Sequence, residues 1–486
     1  MQTVTKLTQK QIVKSLFSFI FGTLGFYILF LIMILIHEHP SGFSAYFIYH
    51  RQQLITIAVS TVVLTTMLYC YFFFENKAVL SKLSKMCELF VILYLGAILV
   101  FILSNYVNVF ARPVAFVALM CATFFRRRDS IFINTIFSLL MLVVDNFAAL
   151  TNIEIYIEGY ACLLCTFCAG IVAVFVFSSI KSRFQCIVLA FILLIPVEVV
   201  NAVIMLPLGA FNAQQSVDLV IFGGLACLIS VMLFMFILPL FEKIFAEMTV
   251  FRLREITSDG VKLIKKLKEK APGTYSHSVV VSQLVEACAK AIGEDAELAR
   301  AAAYYHDVGK LKGPEMFAEN QTEYNFHDDI TPELSVDIIR SHTRNGAQLI
   351  QKSRLPEFFA DVAVQHHGTM PIKYFYYKAL KMSDGELNIE NYSYSGPIPE
   401  SKIAALIMIA DSAEAATRTL PDRSPEKIEA FVRGIIEERL DLGQFDNCNI
   451  TMRELTIIKS TLVSQLSGVY HSRVVYPKLS VSKKKN

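Results

Sequence analysis

The 486-residue chain is 54% hydrophobic and 18% charged, and its formal net charge is only +3. The charges are spread along the chain, so the composition does not favour a nucleic-acid polymer as a partner. Apolar residues concentrate in residues 16–241, whereas most charges and seven of the ten histidines lie in residues 242–486. The composition therefore predicts a membrane domain followed by a domain of ordinary soluble composition.

Long apolar runs predict about eight membrane-spanning helices in the first domain. A crossing needs about 20 apolar residues, and most of the runs approach or exceed that length: 16–36, 53–74, 89–105, 110–125, 131–150, 159–179, 184–208 and 219–241. The segment before the first span and every second loop hold two or more lysines or arginines, whereas the alternate loops hold at most one. This pattern places both termini, including residues 1–15, in the cytoplasm.

Some polar residues fall inside the predicted spans. Asp145 and Asn146 lie in the fifth span, and Glu198 and Asn201 lie in the seventh. Ionisable residues at membrane depth are costly and often functional, but hydrogen bonding between helices explains them equally well, so both interpretations stay open. Arg112, in the short fourth span, is expected to extend its charged end to the outer surface.

Residues 242–270 are charged and amphipathic and predict a helical linker with a break at Asp259-Gly260. Beyond it, histidines and aspartates recur on apolar helices or at their ends. His306-Asp307, for example, closes the apolar run 298–305 ahead of Gly309, a helix-stop residue. The full candidate set is His277, His306, Asp307, His342, His366, His367 and Asp411.

Five imidazoles and two carboxylates are too many for one tetrahedral zinc ion, but they suit two ions that share Asp307. Nitrogen and oxygen ligands without thiolate favour two divalent ions of iron or manganese. Two ions about 3.5–4 Å apart can generate a hydroxide and stabilise the attacking and leaving oxygens of a phosphoryl centre. Lys310 follows His306 by about one helical turn and could neutralise phosphate charge. For His306-Asp307 alone, a hydrogen-bonded core pair is an equally good interpretation.

The order of these residues and the motifs around them resemble the seven-transmembrane HD family, the PgpH-type cyclic-di-AMP phosphodiesterases of bacteria. The motifs are Ala-Pro-Gly-Thr-Tyr-Ser-His-Ser (271–278), Tyr-Tyr-His-Asp-Val-Gly-Lys (304–310), Glu-Asn-Gln (319–321), His-His-Gly-Thr (366–369), Tyr-Phe-Tyr-Tyr-Lys-Ala (374–379), Ala-Asp-Ser-Ala-Glu-Ala-Ala (410–416) and Tyr-His-Ser-Arg-Val-Val-Tyr-Pro (470–477).

The resemblance implies an all-α protein: a polytopic transmembrane bundle followed by a cytoplasmic HD phosphohydrolase domain over residues 271–478 and a basic tail at 479–486. It implies that the seven positions are metal ligands and that the enzyme hydrolyses cyclic di-AMP to pApA, with the 3′ oxygen leaving. The expected location is a bacterial cytoplasmic membrane, with the lipid bilayer and a cyclic dinucleotide as partners, and a homodimer is a further expectation.

Two features depart from the family pattern. Ser276 stands where the family has the first histidine of a His-His pair, although the expected ligand, His277, is present. Residues 37–52 are the only residues between the first two predicted spans, where the family has a large extracytoplasmic domain. We therefore expect this chain to lack the usual outer sensor.

Other functions have weaker support. Cyclic-di-GMP enzymes of the HD-GYP type need a Gly-Tyr-Pro stretch, and residues 368–371 read Gly-Thr-Met-Pro. An HD phosphohydrolase acting on another cyclic or linear nucleotide and a non-catalytic membrane signalling protein are the alternatives, and a transporter ranks lower. The candidate catalytic residues are Asp307 and Lys310. The candidate substrate contacts are Lys310, Asn320, Arg344, Tyr374 and Arg418.

Overall fold

The computed structural model describes residues 7–38, 48–148, 153–205, 213–321, 324–383 and 385–469. In this part of the chain the regular structure is helical, apart from an isolated antiparallel bridge between Pro371 and Ser393. The predicted all-α class is confirmed. The chain forms two compact units, Met1–Phe251 and Arg252–Asn486, so the division lies ten residues beyond the predicted end of the membrane domain. The predicted basic tail, 479–486, lies outside the described residues.

The first unit is a bundle of long apolar helices. Its helices are α1 (Gln9–Glu38), α2 (Arg51–Glu75), α3 (Lys77–Ser81), α4 (Leu83–Tyr106), α5 (Phe116–Phe124), α6 (Arg127–Ala148), α7 (Ile153–Phe177), α8 (Arg183–Met205) and α9 (Ala213–Ile244). Their buried faces are rich in aromatic and aliphatic side chains, and Phe26, Phe72 and Phe137 are among the fully buried ones. The outward faces are also apolar, as lipid requires of a spanning helix.

Six of the described helices, α1, α2, α4, α7, α8 and α9, are long and apolar enough to cross a membrane. The other two predicted spans fall on α5 and α6. Helix α5 has only nine residues, and α6 begins with Arg127-Arg128-Asp129 and carries Asp145 near its end. Both are helical where spans were expected, but neither has the length and composition of the six. Eight crossings therefore stay a prediction.

Arg112 does not extend to the surface as predicted. Its side chain is buried, and its guanidinium donates two hydrogen bonds to Asp145, at 2.6 and 2.9 Å, and one to Ser104 Oγ at 2.7 Å. A buried arginine is tolerated among the helices when it is paired and hydrogen-bonded, because the carboxylate compensates the hydration that the guanidinium loses, and the reverse. Asp145 thus has a structural partner inside the first unit, whereas the side chain of Asn146 lies outside the described residues.

The second predicted polar pair, in α8, has different surroundings. Asn201 is buried and its Oδ1 lies 3.1 Å from Cys165 Sγ of α7. Glu198 packs against Gly223 of α9. These contacts join α7, α8 and α9 and are of the kind that polar groups make between helices in lipid.

The second unit is a bundle of shorter helices. They are α10 (Val250–Ile256, which begins in the first unit), α11 (Lys262–Lys270), α12 (Pro272–Ile292), α13 (Ala296–Tyr305), α14 (Pro332–Lys352), α15 (Glu357–Gln365), α16 (Lys373–Met382), α17 (Lys402–Thr419), α18 (Pro425–Asp441) and α19 (Met452–Val469). The predicted break at Asp259-Gly260 falls in the turn between α10 and α11.

Local signals set the ends of the helices that carry the candidate site. Side chains of Asp295, Thr331 and Ser401 accept hydrogen bonds from backbone N–H groups in the first turns of α13, α14 and α17. Such caps satisfy donors that a helix start leaves without a partner. Helix α12 ends at Gly293, whose φ of 78° lies in the left-handed region. These signals fix the starts of α13, α14 and α17 and the end of α12.

Candidate metal centre

The seven histidines and aspartates predicted as ligands meet in one cluster of the second unit. They are His277 near the start of α12, His306 and Asp307 at the end of α13, His342 within α14, His366 and His367 at the end of α15, and Asp411 within α17. All are buried except His367, which is partly exposed.

Asp307 is at the centre of the cluster, with one carboxylate oxygen toward each of two groups of imidazoles. Its Oδ1 lies 3.3 Å from Nε2 of His342 and 3.7 Å from Nε2 of His366. Its Oδ2 lies 3.4 Å from Nε2 of His306 and 3.8 Å from Nε2 of His277. This is the geometry of a carboxylate that can bridge two cations.

Asp411 lies on the His277 side of the cluster. Its Oδ1 lies 2.9 Å from His277 Nε2 and 4.0 Å from His306 Nε2, while its Oδ2 lies 3.8 Å from His367 Nδ1. Ligand atoms of His277, His306 and Asp307 lie within 4.8 Å of one another, as do those of Asp307, His342, His366 and His367. We call the first the His277 group and the second the His367 group; they share Asp307.

Backbone carbonyls orient three of the imidazoles. Nδ1 of His306 lies 2.7 Å from the carbonyl oxygen of Ala303, and Nδ1 of His366 lies 2.9 Å from that of Ala363. His342 pairs in the same way with Ile339 at 2.5 Å. Because a carbonyl only accepts, each Nδ1 must carry the proton and donate it. Each Nε2 therefore turns a lone pair toward Asp307, which is the tautomer that a metal ligand needs.

The donor set fits a pair of divalent ions. His306 Nε2 and Asp307 Oδ1 are buried and have no hydrogen-bond partner among the described residues, a costly condition that a cation on each side of Asp307 would relieve. Neither group includes a cysteine. Neutral imidazoles and carboxylates without thiolate suit iron or manganese.

The electrostatics of the cluster agree with that fit. Burial lowers the pKa of His366 to about 4 and that of His367 well below its usual range, so both imidazoles stay neutral and free to bind a cation. At Asp307 the effect of burial, which would raise the pKa, is outweighed by Lys310 and His306, which hold the pKa well below its usual range.

At His277 the balance is reversed. Burial opposes the charged form, but hydrogen bonds from the ring to the carboxylates of Asp411 and Glu414 outweigh it and raise the pKa of His277 to about 10. The carboxylates that favour a proton on this ring would also favour a metal cation in its place.

Glu414 is a site residue that the sequence prediction missed. It is 2% exposed, and its Oε2 lies 2.6 Å from Nδ1 of His277. Arg418 donates to both of its oxygens at 2.7 Å. Glu414 follows Asp411 by three residues on α17, so helical spacing alone could have placed it on the same face. Arg418, predicted as a substrate contact, also holds Glu414, and its contact with substrate stays a prediction.

An open cavity of about 480 Å³ adjoins the cluster, within the usual range of ligand sites. His342, His367 and Asp411 reach it from the cluster, and the predicted contacts Lys310 and Tyr374 also line it. Lys310 Nζ lies 2.7 Å from Asp307 Oδ2 and 2.7 Å from Glu319 Oε1, so two carboxylates hold its charge at the cavity wall.

The other two predicted substrate contacts are not among the residues that line the cavity. The side-chain oxygen of Asn320 accepts hydrogen bonds from the backbone N–H groups of Gly273 and Thr274, which ties its loop to the start of α12. Arg344 is exposed on α14. The cavity instead contains Tyr394, which no motif had singled out.

Comparison with known proteins supports the same interpretation. The family model "HD domain" matches residues 274–416, and the model "7TM receptor with intracellular HD hydrolase" matches residues 51–249. The chain is 41% identical over 288 residues to the cyclic-di-AMP phosphodiesterase PgpH of Bacillus subtilis (strain 168), covering 59% of this chain and 40% of that protein.

A second relative is the cyclic-di-AMP phosphodiesterase PgpH of Listeria monocytogenes (serotype 1/2a, strain 10403S). It is 46% identical over 242 residues, which cover 50% of this chain and 34% of the relative. The crystal structure of the L. monocytogenes PgpH HD domain in complex with cyclic-di-AMP is 47% identical and covers 44% of this chain and 99% of that one, with a TM-score of 0.42.

The chain thus spans less than half the length of either curated relative. Its two units nevertheless match the two parts of one family, in the same order. The chain is therefore similar, over residues 51–249 and 274–416, to the 7TM receptors with an intracellular HD hydrolase domain.

Proposed function

We propose that the chain is a membrane-bound, metal-dependent phosphodiesterase that hydrolyses cyclic di-AMP to pApA. The observation that carries this proposal is Asp307, whose two oxygens face two separate groups of buried imidazoles. Shared carboxylates of this kind hold two cations at the distance that phosphoryl transfer uses. Two PgpH relatives named for this activity support the choice of substrate.

Two divalent ions, iron or manganese, would supply Lewis acidity and an activated water when bound by the seven ligands. The protein's own residues hold the reacting phosphodiester beside them. Lys310, fixed by Asp307 and Glu319, places a positive charge at the cavity wall close to where a phosphate would lie. Tyr374 is 64% exposed at the rim and offers an aromatic face to a nucleobase.

In the proposed reaction, the oxygen of a water molecule attacks one phosphorus, the bond to the 3′ oxygen breaks and that oxygen takes up a proton, so that the phosphodiester ring of the cyclic dinucleotide opens. Lys310 would stabilise the negative charge that develops on the phosphoryl oxygens. Burial of the cluster strengthens these interactions because little water competes with them. The product keeps the second phosphodiester bond intact, as pApA requires.

The expected setting is a bacterial cytoplasmic membrane. Six apolar helices in the described residues and the match over residues 51–249 support a membrane protein. The alternation of lysines and arginines between loops supports a cytoplasmic HD domain with both termini on the same side. A homodimer stays a prediction.

The test uses the full-length chain in lipid nanodiscs, loaded anaerobically with Fe(II) or Mn(II). Cyclic di-AMP and cyclic di-GMP are supplied separately and the products are separated by chromatography. We expect pApA from cyclic di-AMP and loss of that product in Asp307→Ala. Asp337→Ala, which removes an exposed aspartate of α14, is the matched control and should retain activity.

Each alternative has its own result. Turnover of cyclic di-GMP alone would keep the metal site and refute the substrate. Turnover of neither, with two metal ions bound per chain, would point to another phosphoester or to a signalling protein that no longer catalyses. Full activity of Asp307→Ala would refute the shared carboxylate.

A further inference from the structure

A short backbone strap places Tyr394 over the metal cluster. The backbone N–H of Tyr394 donates to the carbonyl of Met370 at 3.0 Å, and Gly396 donates to Gly368 at 2.9 Å. From the other side, Ile372 donates to the carbonyl of Tyr392 at 2.8 Å. Residues 392–396 therefore pair with residues 368–372, which directly follow the two histidines that end α15.

The strap sets the ring of Tyr394 against two candidate ligands. The ring stacks on His367 with centroids 4.2 Å apart and an interplanar angle of 23°, and it meets the ring of His342 edge-on at 6.1 Å. Such contacts restrict how an imidazole can turn. Within the described residues, His367 lacks the backbone carbonyl partner that orients His306, His342 and His366. The stacked ring of Tyr394 therefore helps to hold it, together with the adjacent rings of His366 and His342.

The hydroxyl of Tyr394 has no partner in the part of the chain that the structure describes. Tyr394 lines the cavity together with Lys310, His342, His367 and Asp411. Tyr392, two residues earlier, differs because its hydroxyl donates to Glu333. A phenol keeps its proton up to about pH 10, so at neutral pH Tyr394 offers a donor to whatever enters the cavity.

A phosphodiester is the ligand that this donor suits. The oxygens of a phosphodiester only accept hydrogen bonds and need a donor. The carboxylate of Asp411 cannot donate, and the ammonium group of Lys310 is already shared by Asp307 and Glu319. We propose that the Tyr394 hydroxyl donates a hydrogen bond to a phosphate oxygen of the bound substrate, while its ring fixes His367. This inference rests on the proposed function for the identity of the substrate and extends it to a residue that contacts the reacting group.

The two roles separate by substitution. Tyr394→Phe keeps the ring on His367 and removes the hydroxyl, whereas Tyr394→Leu removes both. The matched control is Tyr392→Phe, which removes a hydroxyl from the same strap that points to Glu333 instead of the cavity. All variants are made in the full-length chain in nanodiscs and loaded with Mn(II), and bound metal is counted by mass spectrometry.

Inorganic phosphate is the probe, and its binding is measured by titration calorimetry, independently of turnover. Hydrogen bonds to charged groups contribute enough for roughly a tenfold or larger effect, so we expect Tyr394→Phe to weaken phosphate binding about tenfold with two metal ions still bound. Tyr394→Leu should in addition weaken the binding of the metal ion in the His367 group. Tyr392→Phe should match the unaltered chain in both measurements.

The results distinguish this inference from the proposed function. Equal phosphate affinity in Tyr394→Phe and the unaltered chain would overturn the hydroxyl contact even if cyclic di-AMP is hydrolysed. Failure of the metal-loaded chain to bind phosphate at all would also overturn it. If cyclic di-AMP is not a substrate but the tenfold loss is found, the phosphate contact stands and only the nucleotide assignment fails.

Discussion

Glu414→Gln should weaken one of the two metal sites and spare the other. Glu414 is buried on α17, and its carboxylate contacts Nδ1 of His277 at 2.6 Å. Glutamine has nearly the same shape but no negative charge, so the imidazole loses a charged hydrogen-bond partner and part of its basicity. Hydrogen-bond partners of this kind change metal affinity by about 10–100-fold, which corresponds to roughly 1.4–2.8 kcal/mol.

The loss should fall on one site because the ligand that the Glu414 carboxylate is seen to contact, in the described residues, is His277. His342 and His366 are oriented by backbone carbonyls, and His367 by Tyr394, so the substitution leaves the His367 group unchanged. Titration of the metal-free, full-length chain with Mn(II), followed by electron paramagnetic resonance, resolves the two dissociation constants. We expect one of them to rise 10–100-fold.

The control applies the same substitution to an ordinary surface pair. Glu429 lies on α18, where it pairs with Lys459 and Arg433, and its side chain is 43% exposed. Glu429→Gln should leave both constants unchanged. If Glu414→Gln weakens both sites equally, or neither, then Glu414 does not act through His277 and the division into two groups is wrong.

Three further predictions concern stability. A Cβ at Gly309 would lie 1.9 Å from the carbonyl oxygen of His342, so Gly309→Ala should destabilise the fold by about 1–3 kcal/mol and lower the melting temperature. Gly434 lies on an open helix face, so Gly434→Ala should stabilise the fold by about 0.5–1 kcal/mol. A shift of the melting temperature in the same direction for both variants would refute the contact at Gly309. Asp145→Asn leaves Arg112 buried without its counter-charge and should lower the free energy of unfolding by roughly 3–5 kcal/mol, measured with denaturant. Adding Arg112→Gln to the same chain should recover part of that loss, and an unchanged denaturation midpoint in Asp145→Asn would show that the pair is not desolvated. Removal of metal by a chelator should lower the melting temperature, since ligand at 100 times its dissociation constant stabilises by about 2.7 kcal/mol; no change would contradict metal binding in the folded state.

The membrane domain and the ligand set could be predicted because each carries a strong physical signal. Long apolar runs have few uses outside a bilayer. A carboxylate such as Asp411 inside the apolar run 403–410 is costly unless a cation or a strong donor set compensates it. Those costs are visible in the sequence whatever the packing, and the structure does bring the seven residues together.

Contacts between distant segments could not be predicted in the same way. Arg112 was expected at the surface because nothing in its own span showed that Asp145, 33 residues away, would pair with it. The hydrogen bonds of Asn320 to the start of α12 and of Arg418 to Glu414 likewise had no signal in the residues around them. Tyr394 gave no local signal because its position depends on the strap and not on helical spacing.

The hydrogen bonds at the ends of α13 and α15 limit how these helices can change in length. Ala303 and Ala363 lie in the last turns of their helices, where carbonyls lack partners within the helix. One hydrogen bond from each ligand therefore also caps its helix. Insertion of one residue would turn the histidine by about 100° around the axis and leave the carbonyl uncapped. Insertions and deletions should consequently be excluded from the last turns of both helices.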